Sequence, residues 1–375
     1  MRAFGIYLHV PFCGSICAYC HFARTAVHDG AMRAAYVDGV LREFTLRREQ
    51  CPALGAPSRP LATTYIGGGT PSQLEAPLME RLLEGTVGRC ARTADFELTA
   101  EANPETFDAD LARAWRAAGI NRVSLGVQSL DEAVLRQLGR ACGPETARRA
   151  MALACAMFPR VSADWIIGPG VGRAALLAEL DEAVACGVEH VSLYILEIHA
   201  GTAMAARVSS GAVKLPPDSH VEKLYLAAIE RLAAHGLHQY EVANFARPGA
   251  ESRHNRGYWQ RRPWLGLGPG AHAAWGRCRR ANHDRVEAWL GDLAQGRLPE
   301  ASVDTLTVEA RRLERVVLAL RTRDGVPLAW LPGGALDLVR GQVEGLWLVA
   351  DGRLQLSGTG FLRIDTIEEA LARRL

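Results

Sequence analysis

A chain of 375 residues with 49% apolar, 22% charged and 7% aromatic side chains has ordinary globular composition and is long enough for a large core in one or two domains, which excludes disorder, collagen and coiled coil. With 43 basic and 41 acidic side chains the formal charge is +2, so no global field recruits nucleic acid or an anionic membrane. Only Lys214 and Lys223 among the basic residues are lysines, a bias that a GC-rich genome explains more simply than selection for guanidinium chemistry.

The first apolar run, Phe4 to Val10, is too short for a signal peptide, and no 18-residue apolar run occurs anywhere. Of the nine cysteines, Cys13, Cys17 and Cys20 cluster and six are scattered, which is not a disulfide framework. A reducing cytoplasm and no integral membrane segment are therefore expected. Up to about residue 245, short β-rich runs alternate with longer helical patterns. The pattern predicts strands near 4–10, 62–67, 95–100, 121–127, 160–167, 189–196 and 238–243, and helices near 31–49, 73–88, 108–118, 144–156, 174–186 and 219–235.

Polar and glycine residues follow these strands. A cysteine loop follows the first and Gly67-Gly68-Gly69-Thr70-Pro71-Ser72 the second; Glu101 ends the third, Gln128 the fourth, Asp164 lies on the fifth, and the sixth runs into Glu197. In a parallel β/α barrel all strand C-termini open on one rim, so these motifs would converge on one cavity. Residues 247–282 are rich in Gly, Pro, Arg and Trp and read as a bridge. Beyond 285 come helical patterns at 307–321 and near 334–344, then strand-like Leu354-Gln355-Leu356 and Phe361-Leu362-Arg363-Ile364, together resembling a small winged-helix-like module.

Three thiolates within Cys13-Gly14-Ser15-Ile16-Cys17-Ala18-Tyr19-Cys20 suit zinc or an iron–sulfur centre. Structural zinc wants a fourth ligand, which His9 or His21 could supply. Three thiolates on a four-iron cubane instead leave one iron for another ligand, such as the amino and carboxylate groups of S-adenosylmethionine.

The run Tyr7-Leu8-His9-Val10-Pro11-Phe12-Cys13, the CxxxCxxC spacing, the glycine motif and Arg122-Val123-Ser124-Leu125-Gly126-Val127-Gln128-Ser129 resemble the radical S-adenosylmethionine superfamily, within it the HemN/HemW branch. The resemblance covers residues 5 to 275 well and the tail loosely. It implies an α/β fold, an incomplete (β/α)6 barrel over 1–245 with a cluster loop at 11–22, a bridging segment at 246–284 and a HemN-type C-terminal domain at 285–375. It also implies a 4Fe-4S cluster on Cys13, Cys17 and Cys20 and S-adenosylmethionine beside it. Tyr7 would sit by the cluster and Tyr19 near the adenine. Gly68, Gly69 and Thr70 would meet the methionine amino group, Gln128 the ribose and Arg140 the methionine carboxylate. Glu101 and Asp164 would supply carboxylates.

Phe22 stands where the HemN-like coproporphyrinogen dehydrogenases have a further cysteine, and their N-terminal extension is missing; both departures point to the haem chaperones. The segment His254-Asn255-Arg256-Gly257-Tyr258-Trp259 is similar to that branch's haem-associated HNxxYW motif. It implies haem as cargo with His254 as a ligand, and Arg253, Arg256, Arg261 or Arg262 pairing with propionates. His21, Ala141-Cys142 and the stretch Asp164 to Gly172 depart from the chaperone pattern. They leave open a porphyrinogen dehydrogenase, or a methyltransferase or cyclopropanase acting on another substrate. The partners implied are haem or porphyrinogen, a haem-acceptor protein and an electron donor such as a flavodoxin or ferredoxin, with transient membrane contact in haem delivery; no nucleic-acid partner is implied.

Overall fold

The structure, a computed structural model, describes residues 3–331, 333 and 345–372. Six strands, β1 (Phe4–Val10), β2 (Leu61–Gly68), β3 (Arg92–Ala102), β4 (Arg122–Gln128), β5 (Val161–Ile167) and β6 (His190–Ile195), lie parallel in sequence order. The connections carry α1 (Gly30–Gln50), α2 (Ala76–Gly85), α3 (Ala109–Ala117), α4 (Glu132–Leu138), α5 (Pro144–Met157) and α6 (Arg173–Cys186). Parallel strands need such crossovers, and burial of one strand face under helices explains the near-continuous apolar runs. Asp29, Asp108 and Asp131 cap α1, α3 and α4 by accepting backbone N–H bonds, while Gly139 and Gly187 end α4 and α6 in the left-handed conformation.

After β6 come α7 (Ala203–Ser209), α8 (Asp218–Ala234), β7 (His238–Gln239) and β8 (Asn244–Ala246), the last antiparallel to β6. Of the strand expected at 238–243 only β7 forms, and residues 240–243 turn the chain into the antiparallel β8. The bridge holds α9 (Arg253–Trp259) and three strands, β9 (Trp264–Leu267), β10 (His272–Trp275) and β11 (Cys278–Asn282). Next are α10 (Val286–Ala294) and β12 (Glu300–Thr305). β9 runs parallel along the free edge of β1, and β10, β11 and β12 extend the same sheet, so the described strands form an open α/β sheet of twelve. The parallel barrel is incomplete because β9 and β8, not each other's partners, occupy the edges of β1 and β6.

Burial of Glu43 on α1 explains how the bridge is clamped. Its carboxylate accepts from the Gly268 N–H (3.0 Å), Asn282 Nδ2 (2.9 Å) and Trp289 Nε1 (3.0 Å), with Arg47 alongside. A Cβ at Gly39 would stand 2.4 Å from the Trp289 ring, so glycine there lets α10 lie against α1.

The tail carries α11 (Val308–Leu320), a small antiparallel sheet of β13 (Val326–Pro327), β14 (Trp347–Ala350) and β15 (Arg353–Leu356), then α12 (Gly358–Leu362) and α13 (Ile364–Ala372). Val316, Leu320, Leu354, Phe361 and Ile367 form its own core. The hairpin is β14–β15; of residues 361–364, expected as a strand, Phe361 and Leu362 end α12, which the Ser357 side chain caps on the Gly360 N–H, Arg363 turns the chain, and Ile364 opens α13. The helix expected near 334–344 lies outside the described residues.

Candidate functional site

Strand parity sorts the first site residues. Along β1, Phe4, Ile6, Leu8 and Val10 are buried towards the helices, so Gly5, Tyr7 and His9 face the barrel interior. The chain then leaves the sheet as the cysteine loop, which three neighbours hold. Gly69 N–H and Thr70 N–H donate to Val10 O and Phe12 O (both 2.7 Å). Ala18 N–H donates to Leu138 O at the end of α4 (3.0 Å), and Met204 N–H at the start of α7 donates to Ala18 O (2.7 Å). A Cβ on Gly139 would meet the Ala18 nitrogen at 2.9 Å, so this glycine both turns left-handed and admits the loop.

A cleft of about 390 Å³ opens at the C-terminal ends of the strands. It is lined by Cys13, Cys17, Tyr19, Cys20, Gly68, Gly69, Thr70, Glu101, Gln128, Arg140 and Asp164. The rim on which the strand-end motifs were expected to converge is therefore a physical cavity. Tyr7 and His254 are not part of its lining. Tyr7 sits lower in the barrel, its hydroxyl on His9 Nδ1 (3.1 Å) and its ring stacked on Tyr65, because it comes three residues before the strand ends.

Both nitrogens of the buried His254 ring are engaged, Nδ1 with the Thr63 hydroxyl (2.9 Å) and Nε2 with the Tyr258 hydroxyl (2.7 Å). Its backbone N–H donates to Glu97. Burial lowers the His254 pKa to about 3, so the ring is neutral.

Glu101 and Asp164, both in the cleft, are perturbed chiefly by burial. Glu101 is pushed up to about 7 although it accepts from the Tyr65 hydroxyl (2.7 Å) and the Gly68 N–H (3.3 Å). Asp164 is raised to about 6 against opposing hydrogen bonds from Ser192 and Ser124. The glycine motif has an internal reason as well. A Cβ at Gly67 would stand 2.8 Å from Glu101 and one at Gly68 2.6 Å from His9, and one at Gly69 would stand 2.8 Å from Pro11 backbone. Gln128, at φ 69°, holds a left-handed conformation that a non-glycine residue adopts at a cost, an outlier placed at the cleft.

Arg140 reaches the thiols from the far side: Nη1 donates to Cys17 Sγ (3.4 Å), and Nη2 to Gly126 O (2.7 Å) and Asn103 Oδ1 (3.1 Å). Sequence reasoning passed over Asn103 as a site residue although it stands two places after Glu101; its Nδ2 also donates to Thr70 Oγ1 (3.3 Å). It missed Tyr194 and His199 too, whose only signal was their place at the end of β6 and just after it. The His199 ring lies 3.6 Å from that of His21 at the mouth.

The donor set discriminates between the metal readings. His9 is committed at both nitrogens, Nδ1 to Tyr7 and Nε2 to Ala23 O (2.7 Å), and so is no fourth zinc ligand. Three thiols border one cavity, yet among the described residues no three His, Cys, Asp or Glu side chains converge closely enough to hold a single ion. The buried Arg140 Nε lacks a partner. Soft donors spread around a space, beside an unsatisfied guanidinium, fit a polynuclear cluster with an anionic co-ligand.

The sequence profile of the Radical SAM superfamily matches residues 7–183. The chain is 38% identical to the heme chaperone HemW of Mycobacterium tuberculosis, over 99% of this chain and 95% of that protein. It is 31% identical to heme chaperone HemW of Bacillus subtilis, over 85% and 84%. Among solved structures, the coproporphyrinogen III oxidase HemN of Escherichia coli superposes with a TM-score of 0.84 at 22% identity, covering 100% of this chain and 91% of that one.

Proposed function

Since the chain belongs to the HemN/HemW branch of the radical S-adenosylmethionine superfamily, with relatives named heme chaperone HemW along its whole length, we propose that it is a haem-binding chaperone delivering haem to an acceptor protein. The observation that carries the reading is the near-complete mutual coverage with a HemW chaperone at 38% identity. The exposed Phe22 at the cleft mouth supports it, since no further thiol stands there.

In this reading Cys13, Cys17 and Cys20 hold a 4Fe-4S cluster, which supplies one-electron chemistry at the sulfonium of S-adenosylmethionine. Arg140 fixes the methionine carboxylate by a charge-assisted bond, and the Gly68–Thr70 backbone receives the amino group. Gln128 meets the ribose and Tyr19 the adenine, while Glu101 and Asp164 offer carboxylates in a dry setting. His254 as a haem ligand would have to exchange the Tyr258 hydroxyl for iron. The three-part division at 245/246 and 284/285, the electron donor and the cytoplasmic location belong to the same proposal. Among the described residues no helix is long and apolar enough to cross a membrane.

The test is anaerobic titration of haem into the cluster-reconstituted protein, beside assays for 5′-deoxyadenosine formation with coproporphyrinogen III. Stoichiometric haem binding without decarboxylation is expected. Decarboxylation would make the protein a dehydrogenase, and neither outcome would leave a methyltransferase-like enzyme.

A further inference from the structure

A second, larger cavity of about 990 Å³, near the upper end for small-molecule sites, lies at the other end of the barrel. Its walls include Ala3, Ala62 and Thr93, beside the starts of β1, β2 and β3, whereas the cysteine cleft uses Gly68, Ala102 and Gln128 at the strand ends. A seven-residue strand spans roughly 20 Å, so the two openings are separated by the depth of the sheet. Helix α9 forms one wall and sorts its residues between the two interiors. Arg253, Arg256 and Trp259, each three residues on, turn to this cavity, while His254 and Tyr258 turn to the barrel and bond each other (2.7 Å). The arginines of this helix thus lie across it from the His254 ring and do not converge with that ring on one ligand.

The lining is lopsided in charge. Nine arginines face it against two carboxylates, Glu314 and Asp324. Ion pairs answer five of the nine: Arg253 on Asp95 (2.5 Å), Arg256 on Asp324 (3.5 Å), Arg323 on Glu251 (2.7 Å), and Arg261 and Arg279 sharing Glu314 (both 2.6 Å). Arg315 lies over the Trp330 indole, its guanidinium carbon 3.2 Å from the ring centre. Three have no carboxylate among the described residues. Arg262 and Arg311 make no side-chain hydrogen bond or ion pair there, and Arg353 is held only by the backbone carbonyls of Asp324 and Gly325. The Arg262 guanidinium is held below its ordinary pKa by burial and then by the neighbouring Arg253, the mark of a cation lacking its counter-charge. Like charges gathered in this way are costly until an anion completes them.

We propose that this cavity is a binding site for a nucleoside diphosphate or triphosphate, its phosphates taken by Arg262, Arg311 and Arg353 and its base by the Trp264 ring and the Arg315–Trp330 pair. The charge fits: a terminal phosphate carries about 1.5 to 2 negative charges at neutral pH and a diphosphate chain about three, one for each uncompensated guanidinium. Guanidinium forks match phosphate oxygens, and indole faces and guanidinium planes both stack on a flat base. The site rests on neither the cluster nor the haem reading, and it is filled together with the S-adenosylmethionine cleft.

The experiment is isothermal titration of the full-length, cluster-loaded protein with ADP, pyrophosphate and adenosine, at saturating S-adenosylmethionine so that adenine cannot enter the cysteine cleft. ADP is expected to bind with one site per chain, and pyrophosphate and adenosine each roughly tenfold or more weaker, since each lacks half of the contacts. Arg262→Gln and, separately, Arg311→Gln should each weaken ADP about tenfold, with iron content at the wild-type level showing an intact fold. Haem added to saturation should leave the ADP affinity unchanged. No binding of ADP, pyrophosphate or adenosine binding as tightly as ADP, wild-type affinity in both arginine variants, or displacement of ADP by haem would each overturn the nucleotide site while leaving the chaperone reading standing.

Discussion

Arg140 donates to Cys17 Sγ across 3.4 Å, although 123 residues separate them. The contact exists because Gly139 turns the chain at the end of α4 where the cysteine loop docks through Ala18. Its guanidinium is nearly sequestered from solvent and has one nitrogen unsatisfied, so it is prepared for an anion rather than for water.

Replacing Arg140 by Met is therefore expected to weaken S-adenosylmethionine binding by roughly 10- to 100-fold, the equivalent of about 1.5–3 kcal/mol for a charge-assisted bond. Cluster iron should remain near the wild-type level. Isothermal titration of the reconstituted protein checks the first number and iron analysis the second; unchanged affinity would remove Arg140 from the carboxylate site.

Each of Cys13→Ala, Cys17→Ala and Cys20→Ala should abolish the anaerobically reconstituted cluster, measured as iron and acid-labile sulfide. Cys51→Ala and Cys90→Ala, far along the chain and outside the cleft, should retain it. Retention of iron and sulfide in all three loop variants would refute the assignment.

Glu101 imposes a pH dependence whose sign can be worked out. Its folded pKa, about 7, lies above the ordinary carboxylate value of 4.5 because burial disfavours the charge, with Asp164 adding to the rise and Tyr7, Tyr194 and Tyr258 also facing it. The folded state thus binds the proton more tightly than the unfolded state. Its contribution to stability is complete below about pH 4.5 and is lost as pH rises towards 7. Glu101→Gln, which cannot ionise, should flatten this part of the melting temperature–pH curve of the cluster-free protein between pH 5 and 8. A variant curve parallel to the wild type would contradict the shift.

Glu43 holds the bridge to α1 through donors from Gly268, Asn282 and Trp289. Glu43→Ala leaves these groups and Arg47 buried without their acceptor and is expected to cost on the order of 3–5 kcal/mol. Urea denaturation reads this directly, and a loss below about 1 kcal/mol would mean that the network relaxes or fills with water.

His254→Ala tests the remaining haem proposal. Because the ring is buried on Thr63 and Tyr258, the variant should lose roughly 1–3 kcal/mol of stability whatever the ligand. If His254 ligates iron, the haem absorption spectrum should also change while the cluster spectrum does not. An unchanged haem spectrum would place the ligand elsewhere.

Local pattern was sufficient for much of this molecule. Apolar runs of strand length, alternating with helical stretches, revealed the six parallel strands, since burial under crossover helices writes itself into neighbouring residues. The cysteine spacing, the glycine motif and the polar residues after each strand located the cleft for the same reason: parallel strands place all their ends on one rim.

What depended on distant segments was not legible. The short α4 and α9 have too few turns for a period to stand out, and so the reach of Arg140 to Cys17 and the inward turn of His254 stayed hidden. The motif around residue 254 suggested a ligand, but only packing showed both ring nitrogens already taken. The strands within 264–305 are not legible in the sequence, which reads as a bridge to 282 and a tail from 285, because they are short and find their partners in β1 and in one another. Residues 361–364 looked extended from apolar content alone, yet behind the Ser357 cap they close α12 and open α13. The charge of the cavity at the N-terminal ends of β1 to β3 belongs to tertiary structure in the same way: its arginines come from α9, β11, α11, β15 and the turns beside them, and chain folding alone collects them around one space.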